Sequence, residues 1–499
     1  MDQAPLLHGI SDEELVDAYG DYLPARGMKN LWKVFCIETV KLWEIGGPIA
    51  FQIICQFGIN IITSMFVGHL GNVELSSVSI AQSVISTFAF GFMLGMGSAL
   101  ETLCGQAYGA GQVHMLGIYL QRSMIILVAT SFLLMPMYLF ATPLLKLLGQ
   151  QDAIANLAGK YAILIIPEIF AMAVIFPTQK FLQAQSKVGF LAWIGFIALI
   201  LHALLLGLFI YLLGWGVIGA AVAFNVSNWF TAIAQFVYVV GWCKDGWKGW
   251  SSSAFKDIWA FVKLSLASAV MLCLEIWYIT SLSILTGHLN NAVIAVGALT
   301  ICTNISGIEA MLFIGINAAV SVRVSNELGL GHSRATKYAV YVAVFQSLLI
   351  GILSMVVILV ARDHITVLFT DSKEMQQAVS HLAWLLGITM VLNSVQPVIS
   401  GVAVGGGWQV LVAYINLGSY YAFGLPLGYV LGYVAHFGVS GLWGGMIAGI
   451  SLQTLLLLII LYKTNWNKEV EQTSERMRKW GGQDIDTINS SSNGLPAEA

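Results

Sequence analysis

One acid stands in the middle of an otherwise apolar run. Leu264 to Thr286, LSLASAVMLCLEIWYITSLSILT, is 23 residues long with a single charge, Glu275, at its centre. As a helix that length crosses a bilayer and sets the carboxyl near the middle of the hydrocarbon. An ionised acid there costs about 3 kcal/mol or more unless paired or hydrated, so the protonated form gains ground. A buried group that changes charge is a candidate coupling site for protons or ions. Asn393 and Gln396, at i and i+3 of another apolar run, share a helical face. They can hydrogen-bond a protonated Glu275 or a polar substrate, or act only as glue between helices. Glu309 and Glu168 each lie mid-segment in further apolar runs. Glu309 is a candidate second coupling acid; Glu168 follows Pro167 and reads as satisfying a broken helical turn. Asn304 and Asn317 are polar enough to line a cavity or to pack. Trp277 and Tyr278 flank the acid and can stack on an aromatic substrate or simply fill space. Pro48 interrupts a span and is expected to bend it.

Those residues need a membrane scaffold to hold them. The 499 residues are 58% hydrophobic and 10% charged, against about 25% charged in soluble domains, which excludes a soluble globular chain. Net charge is −3 with no basic excess, so no nucleic-acid partner is expected. The partners implied are the lipid bilayer, a small organic solute and a coupling ion, on a chain expected to act as a monomer. Six cysteines without CxxC spacing read as packing residues, and no metal-spaced or catalytic cluster points to a cofactor or an enzyme.

Twelve apolar segments run at roughly 40–66, 75–98, 116–141, 154–178, 188–213, 217–241, 260–286, 292–319, 338–361, 377–400, 409–432 and 440–462. An all-α polytopic protein of 12 transmembrane helices is expected. With both termini on one side, that side collects 19 of the 23 Lys+Arg, leaving Lys146, Lys160, Arg362 and Lys373 opposite. Positive charge is retained on the cytosolic side, so both termini are expected there. Residues 1–37 form an acidic cytosolic tail and 465–499 a second tail. Asp2-Gln-Ala-Pro-Leu6-Leu7 fits an acidic dileucine sorting pattern.

The chain repeats itself. Gly68-His69-Leu70 recurs as Gly287-His288-Leu289, Gly109-Ala110-Gly111 as Gly329-Leu330-Gly331, Pro177 as Pro397, and Gly216–Gly219 as Gly438–Gly441. These offsets of 219, 220, 220 and 222 divide the chain into six-span lobes at 38–243 and 254–464, joined by a cytosolic linker at 244–253. An even number of spans gives both halves one topology, as two parallel repeats with a central cleft. The same offset sets Gln56 opposite Glu275, as a neutral cleft residue.

Leu100-Glu-Thr-Leu-Cys-Gly-Gln-Ala-Tyr-Gly109 and Arg323-Val-Ser-Asn-Glu-Leu-Gly329 resemble the multidrug and toxic compound extrusion (MATE) family, most closely its plant detoxification-type branch. Phe181–Gln185, Leu274–Trp277, Ser400–Ala403 with Gly407–Gln409, and Tyr462–Trp466 extend the resemblance over about residues 36–466. It implies V-shaped six-helix lobes that export organic compounds against protons or, less favoured, sodium. It also makes Glu275 the family's segment-7 acid. Plant relatives often pair that acid with an aspartate in segment 10; here Asn393 takes that place. Many relatives also break segment 7 with a proline, where this chain has Ala267.

The expected function is therefore a proton-coupled carrier of flavonoid-like or xenobiotic compounds, in the vacuolar membrane or, second, the plasma membrane. The rival is an anion channel or uniporter, because Asn393 and Ala267 remove an acid and a hinge.

Overall fold

A computed structural model describes residues 16–17, 20–25, 27–256, 258–286, 292–365 and 372–479. The dileucine, Gly287–Leu289 and the last 20 residues lie outside that set. Among the described residues the fold is helical. Backbone polar groups inside a bilayer must bond within their own segment, and the long apolar runs do so as helices.

In the first half, α1 (Met28–Gly68) is followed by α2 (Asn72–Ile80), a π-helical turn (Ala81–Ser86) and α3 (Thr87–Gly109) in one span. Then come α4 (Val113–Leu139), the short α5 (Ala141–Leu147), α6 (Asp152–Leu164), α7 (Ile166–Ala184), α8 (Val188–Leu206) with a π-helical extension, and α9 (Gly216–Trp242). The second half holds α10 (Ile258–Thr286), α11 (Ala292–Leu330), α12 (Ser333–Ile365) and α13 (Lys373–Gly406). It continues through α14 (Gln409–Asn416), a π-helical stretch (Leu417–Gly424) and α15 (Leu425–Tyr429) to α16 (Gly438–Lys463), and ends in α17 (Trp466–Lys479). Eleven helices are long and apolar enough to cross a membrane. The pair α6–α7, bent by 47°, makes a twelfth if counted as one span.

The bend in that span has a chemical cause. Pro167 has no N–H and blocks regular helix just after Ile165. Carbonyls around the break are taken up by α9: Asn225 Nδ2 donates to Leu164 O at 2.7 Å and Trp229 Nε1 to Pro167 O at 3.1 Å. Pro48, by contrast, lies within an α1 that stays helical from Met28 to Gly68.

The N-terminal segment departs from the expected tail. α1 starts at Met28, and Tyr22 before it is buried at 5% exposure. Asp21 caps α12, accepting from the backbone N–H of Arg334 at 3.0 Å and Ala335 at 2.8 Å. The polar residues there escape solvent because they find partners, which composition alone does not reveal. α17 packs against α3, α11 and α12, so both ends of the described chain lie on one side.

The halves meet along α1, α3, α10 and α11. Gly95 of α3 faces Ala269 of α10, and Gly109 faces Asn326 of α11, where an added Cβ would collide with the Asn326 carbonyl oxygen. Gly46 of α1 meets Ala319 of α11, and Ala50 meets Gly315. Small residues at these points let the backbones touch.

Candidate functional site

α10 carries Glu275 to the junction of three elements of the second half. Its carboxyl hydrogen-bonds the Gln396 side chain on α13, and Tyr420 of the π-helical stretch lies near enough to feel its charge. Gln396 also donates to Ser400 Oγ at 3.1 Å, which fixes the amide. Asn393 is one turn from Gln396 on the same helix and half-exposed. Tyr278, one turn beyond Glu275, stacks on Tyr420 with ring centroids 4.4 Å apart. Its hydroxyl donates to Met446 O at 3.2 Å. Tyr278 thus sits inside the second half, not in a cleft between halves. Trp277 points the other way, 42% exposed, and stacks on Phe88 of α3 at 5.6 Å, across the seam.

The remaining sequence candidates scatter. Glu309 faces Ser354 of α12, and neither carboxyl oxygen has a hydrogen bond of ordinary geometry. It stands between helices of the second half, apart from Glu275. Asn317 donates to Pro397 O at 2.5 Å and so ties α11 to α13. Gln56 is half-exposed on α1.

Below this level, on the side of the termini, the halves are bolted together. Glu38 of α1 accepts from Arg323 of α11 at 3.0 and 3.1 Å, with side-chain exposures of 1% and 12%. Arg323 also pairs with Glu327 at 2.7 Å, and Glu327 with His332 at 2.8 Å. Tyr22 donates to Glu38 at 2.8 Å, and burial next to that acid holds the phenol above its ordinary range. Thr102 donates to Val404 O at 2.5 Å, Gln106 to Gly405 O at 3.0 Å, and Arg476 of α17 to Gln106 at 2.9 Å.

Two exposed amides lie on the seam helices away from the termini. Asn60 lies ten residues past Ala50 on α1, and Asn304 eleven residues before Gly315 on α11. Both are thus about 15 Å beyond the crossing, and both are exposed. Thr280 and Ser281 on α10 return their hydroxyls to the carbonyls four residues back at 3.0 and 2.7 Å, and are content on either surface. The seam is packed on the side of the termini, and Glu275 lies less than two helical turns along α10 from the Gly95–Ala269 contact.

One residue escaped the sequence reading. Tyr420 belongs to a Ser-Tyr-Tyr run in an apolar segment; a buried phenol needs a partner, and that was the available signal. Glu168, expected to satisfy the broken turn, also has Tyr138 and Tyr161 near its carboxyl.

The family model described as MatE matches residues 48–208 and 267–430. The chain is 68% identical over 480 residues to Protein DETOXIFICATION 35 of Arabidopsis thaliana, covering 96% of this chain and 97% of that relative. Protein DETOXIFICATION 34 from the same organism is 64% identical over 461 residues, at 92% and 85% coverage. Among solved structures, the eukaryotic MATE transporter AtDTX14 matches with a TM-score of 0.84 at 33% identity, covering 89% of this chain and 99% of its own. The Vibrio cholerae MATE transporter VcmN in the bent form has a TM-score of 0.76 at 17% identity, over 89% and 99% of the two chains, a likeness of fold.

Proposed function

This chain belongs to the MATE family of efflux transporters, and from that premise we propose that it exports small organic compounds from the cytosol by proton antiport. The six-span halves then act as like-folded repeats that rock about the α1–α11 and α3–α10 crossings. The observation that carries this is Glu275, held against Gln396 where α10, α13 and the π-helical stretch meet. Protonation neutralises the junction, and deprotonation restores a charge that Gln396 and water must solvate. A gradient drives the cycle only if the two states bind the proton with different strength. The basic-residue split supports cytosolic termini. The acidic dileucine supports the vacuolar membrane. The Trp277–Phe88 pair, stacked across the seam, supports an aromatic cargo such as phenolic glycosides and xenobiotics.

Substrate uptake into sealed vesicles under an imposed pH gradient tests this. Glu275→Gln is expected to abolish gradient-driven uptake while leaving gradient-free exchange of substrate; full gradient-driven uptake by the variant rejects the mechanism.

A second reading, an anion uniporter, is favoured by Asn393. The position carries an amide within a turn of Gln396, so the junction offers N–H donors and a single acid. Patch-clamp separates the two: a steady current that reverses with chloride and ignores pH supports the uniporter.

A further inference from the structure

The first half buries an acid of its own. Glu168 lies in the first turn of α7, just past the bend at Ile165, and is 3% exposed. Its N–H donates to Ile165 O at 3.0 Å, and the N-terminus of α7 adds partial positive charge that favours an anion there. Tyr138 of α4 and Tyr161 of α6 lie near enough to the carboxyl to feel its charge, and Ser86 of the π-helical turn sits beside Tyr138. Gln82, in that same turn, donates to Tyr161 Oη at 3.2 Å, and Thr87 takes up the Gln82 carbonyl at 3.0 Å. Among the described residues, Ser86 Oγ, Tyr138 Oη and Glu168 Oε2 are all buried without a hydrogen-bond partner of ordinary geometry.

The carboxyl of Glu168 and two buried hydroxyls, Tyr138 near it and Ser86 beside Tyr138, come from three elements to one place. A buried carboxyl oxygen left unmet is costly, so chance packing is a poor account of the cluster. Among the described residues, the surrounding elements bring no cation to neutralise the acid. Lys180 of α7 is paired with Glu101 of α3 at 2.6 Å, about three turns away. Lys160 of α6 is exposed, and Asp152 of α6 pairs with Lys146 at 2.9 Å. Glu74 of α2 is half-exposed. Arg122 of α4 reaches the linker through Ser253 O at 3.2 Å, and α9 carries no charged residue. The π-helical turn that supplies Ser86 and Gln82 is the kind of local irregularity often found at functional sites. The second half is built alike, with Glu275 set near Tyr420 of another π-helical stretch.

We propose that Glu168, Ser86 and Tyr138 form a second site for a monovalent cation, a proton or a sodium ion, inside the first half and separate from Glu275. Its part in the transport cycle rests on the ion-coupled reading above; its occupancy does not, and is measured apart from transport. Infrared difference spectra of the purified full-length protein in lipid nanodiscs provide the test. One series is recorded on acidification and another on sodium chloride addition at fixed alkaline pH. If the occupant is a proton, Glu168→Gln removes one titrating carboxyl band, distinct from the band lost in Glu275→Gln. If it is sodium, the carboxylate band shift on sodium addition disappears in Glu168→Gln and survives in Glu275→Gln. Ser86→Ala and Tyr138→Phe, which each delete one hydroxyl, are expected to weaken occupancy about tenfold or more, equal to about 1.4 kcal/mol. Spectra of Glu168→Gln that match wild type in both series overturn the site. Should Glu168→Gln not fold, wild-type responses from both hydroxyl variants overturn it equally. A carrier driven by neither ion gradient would overturn the transport reading while leaving this result standing.

Discussion

Glu275 and Tyr278, three residues apart, share the face of α10 turned into the second half, with Tyr420 near both. Trp277 lies between them in sequence and faces the other half. Helical periodicity groups the first two; only the packing says which way the pair points. Trp277→Ala deletes the stack on Phe88, worth about 0.5–1.5 kcal/mol beyond buried area. It is expected to shift the protein toward the state open at the termini, seen as faster labelling of cysteines placed along the α3–α10 seam. Asn317 shows the opposite outcome for a polar residue in an apolar span. Its amide serves the Pro397 carbonyl, so Asn317→Ala is expected to cost about 1 kcal/mol in thermal unfolding of the detergent-purified protein. Transport coupling should survive that change.

At the scale of elements, α3 is the pivot. Its glycines face Ala269 of α10 and Ser325 and Asn326 of α11, so the helix touches both seam helices of the other half. A side chain at Gly109 has no soft neighbour to displace, because a Cβ there runs into the Asn326 backbone. Gly109→Val is expected to destabilise the sealed state by about 1–3 kcal/mol, the usual cost of overpacking. The readout is a longer distance between spin labels on α3 and α11 at the terminal side. The bent span shows a different economy: Asn225 and Trp229 of α9 serve the carbonyls left open around Pro167. Trp229→Phe keeps an aromatic ring and removes that donor, so a small loss of thermal stability, about 1 kcal/mol, is expected.

The whole molecule is closed at one end by charge as well as by packing. Arg323 stands half-buried between Glu38 and Glu327, with the N-terminal segment laid over it through Tyr22. Removing one partner of such a cluster strands the others, typically costing about 3–5 kcal/mol. Arg323→Gln should therefore open the terminal side far more than the double change Glu38→Gln with Arg323→Gln, as measured by solvent accessibility of seam cysteines. Deleting residues 1–25 removes the Asp21 cap and the Tyr22 bond together. Faster opening from that side is expected, by the same accessibility measure.

Composition and apolar periodicity alone determined the membrane class, the spans and the place of Glu275 within one of them. A bilayer leaves a chain few ways to satisfy its backbone, so apolar length translates directly into helices. Long motifs such as Leu100–Gly109 and Arg323–Gly329 carried the family. The tertiary structure decided which polar residues meet. It joined Glu275 to Gln396 and Tyr420, set Glu309 apart, gave Asn317 to a proline carbonyl, and gathered Glu168 with Ser86 and Tyr138. Those outcomes depend on how helices rotate and where π-helical turns shift the register. Such rotations are settled by packing between segments far apart in the chain, and no local pattern encodes them.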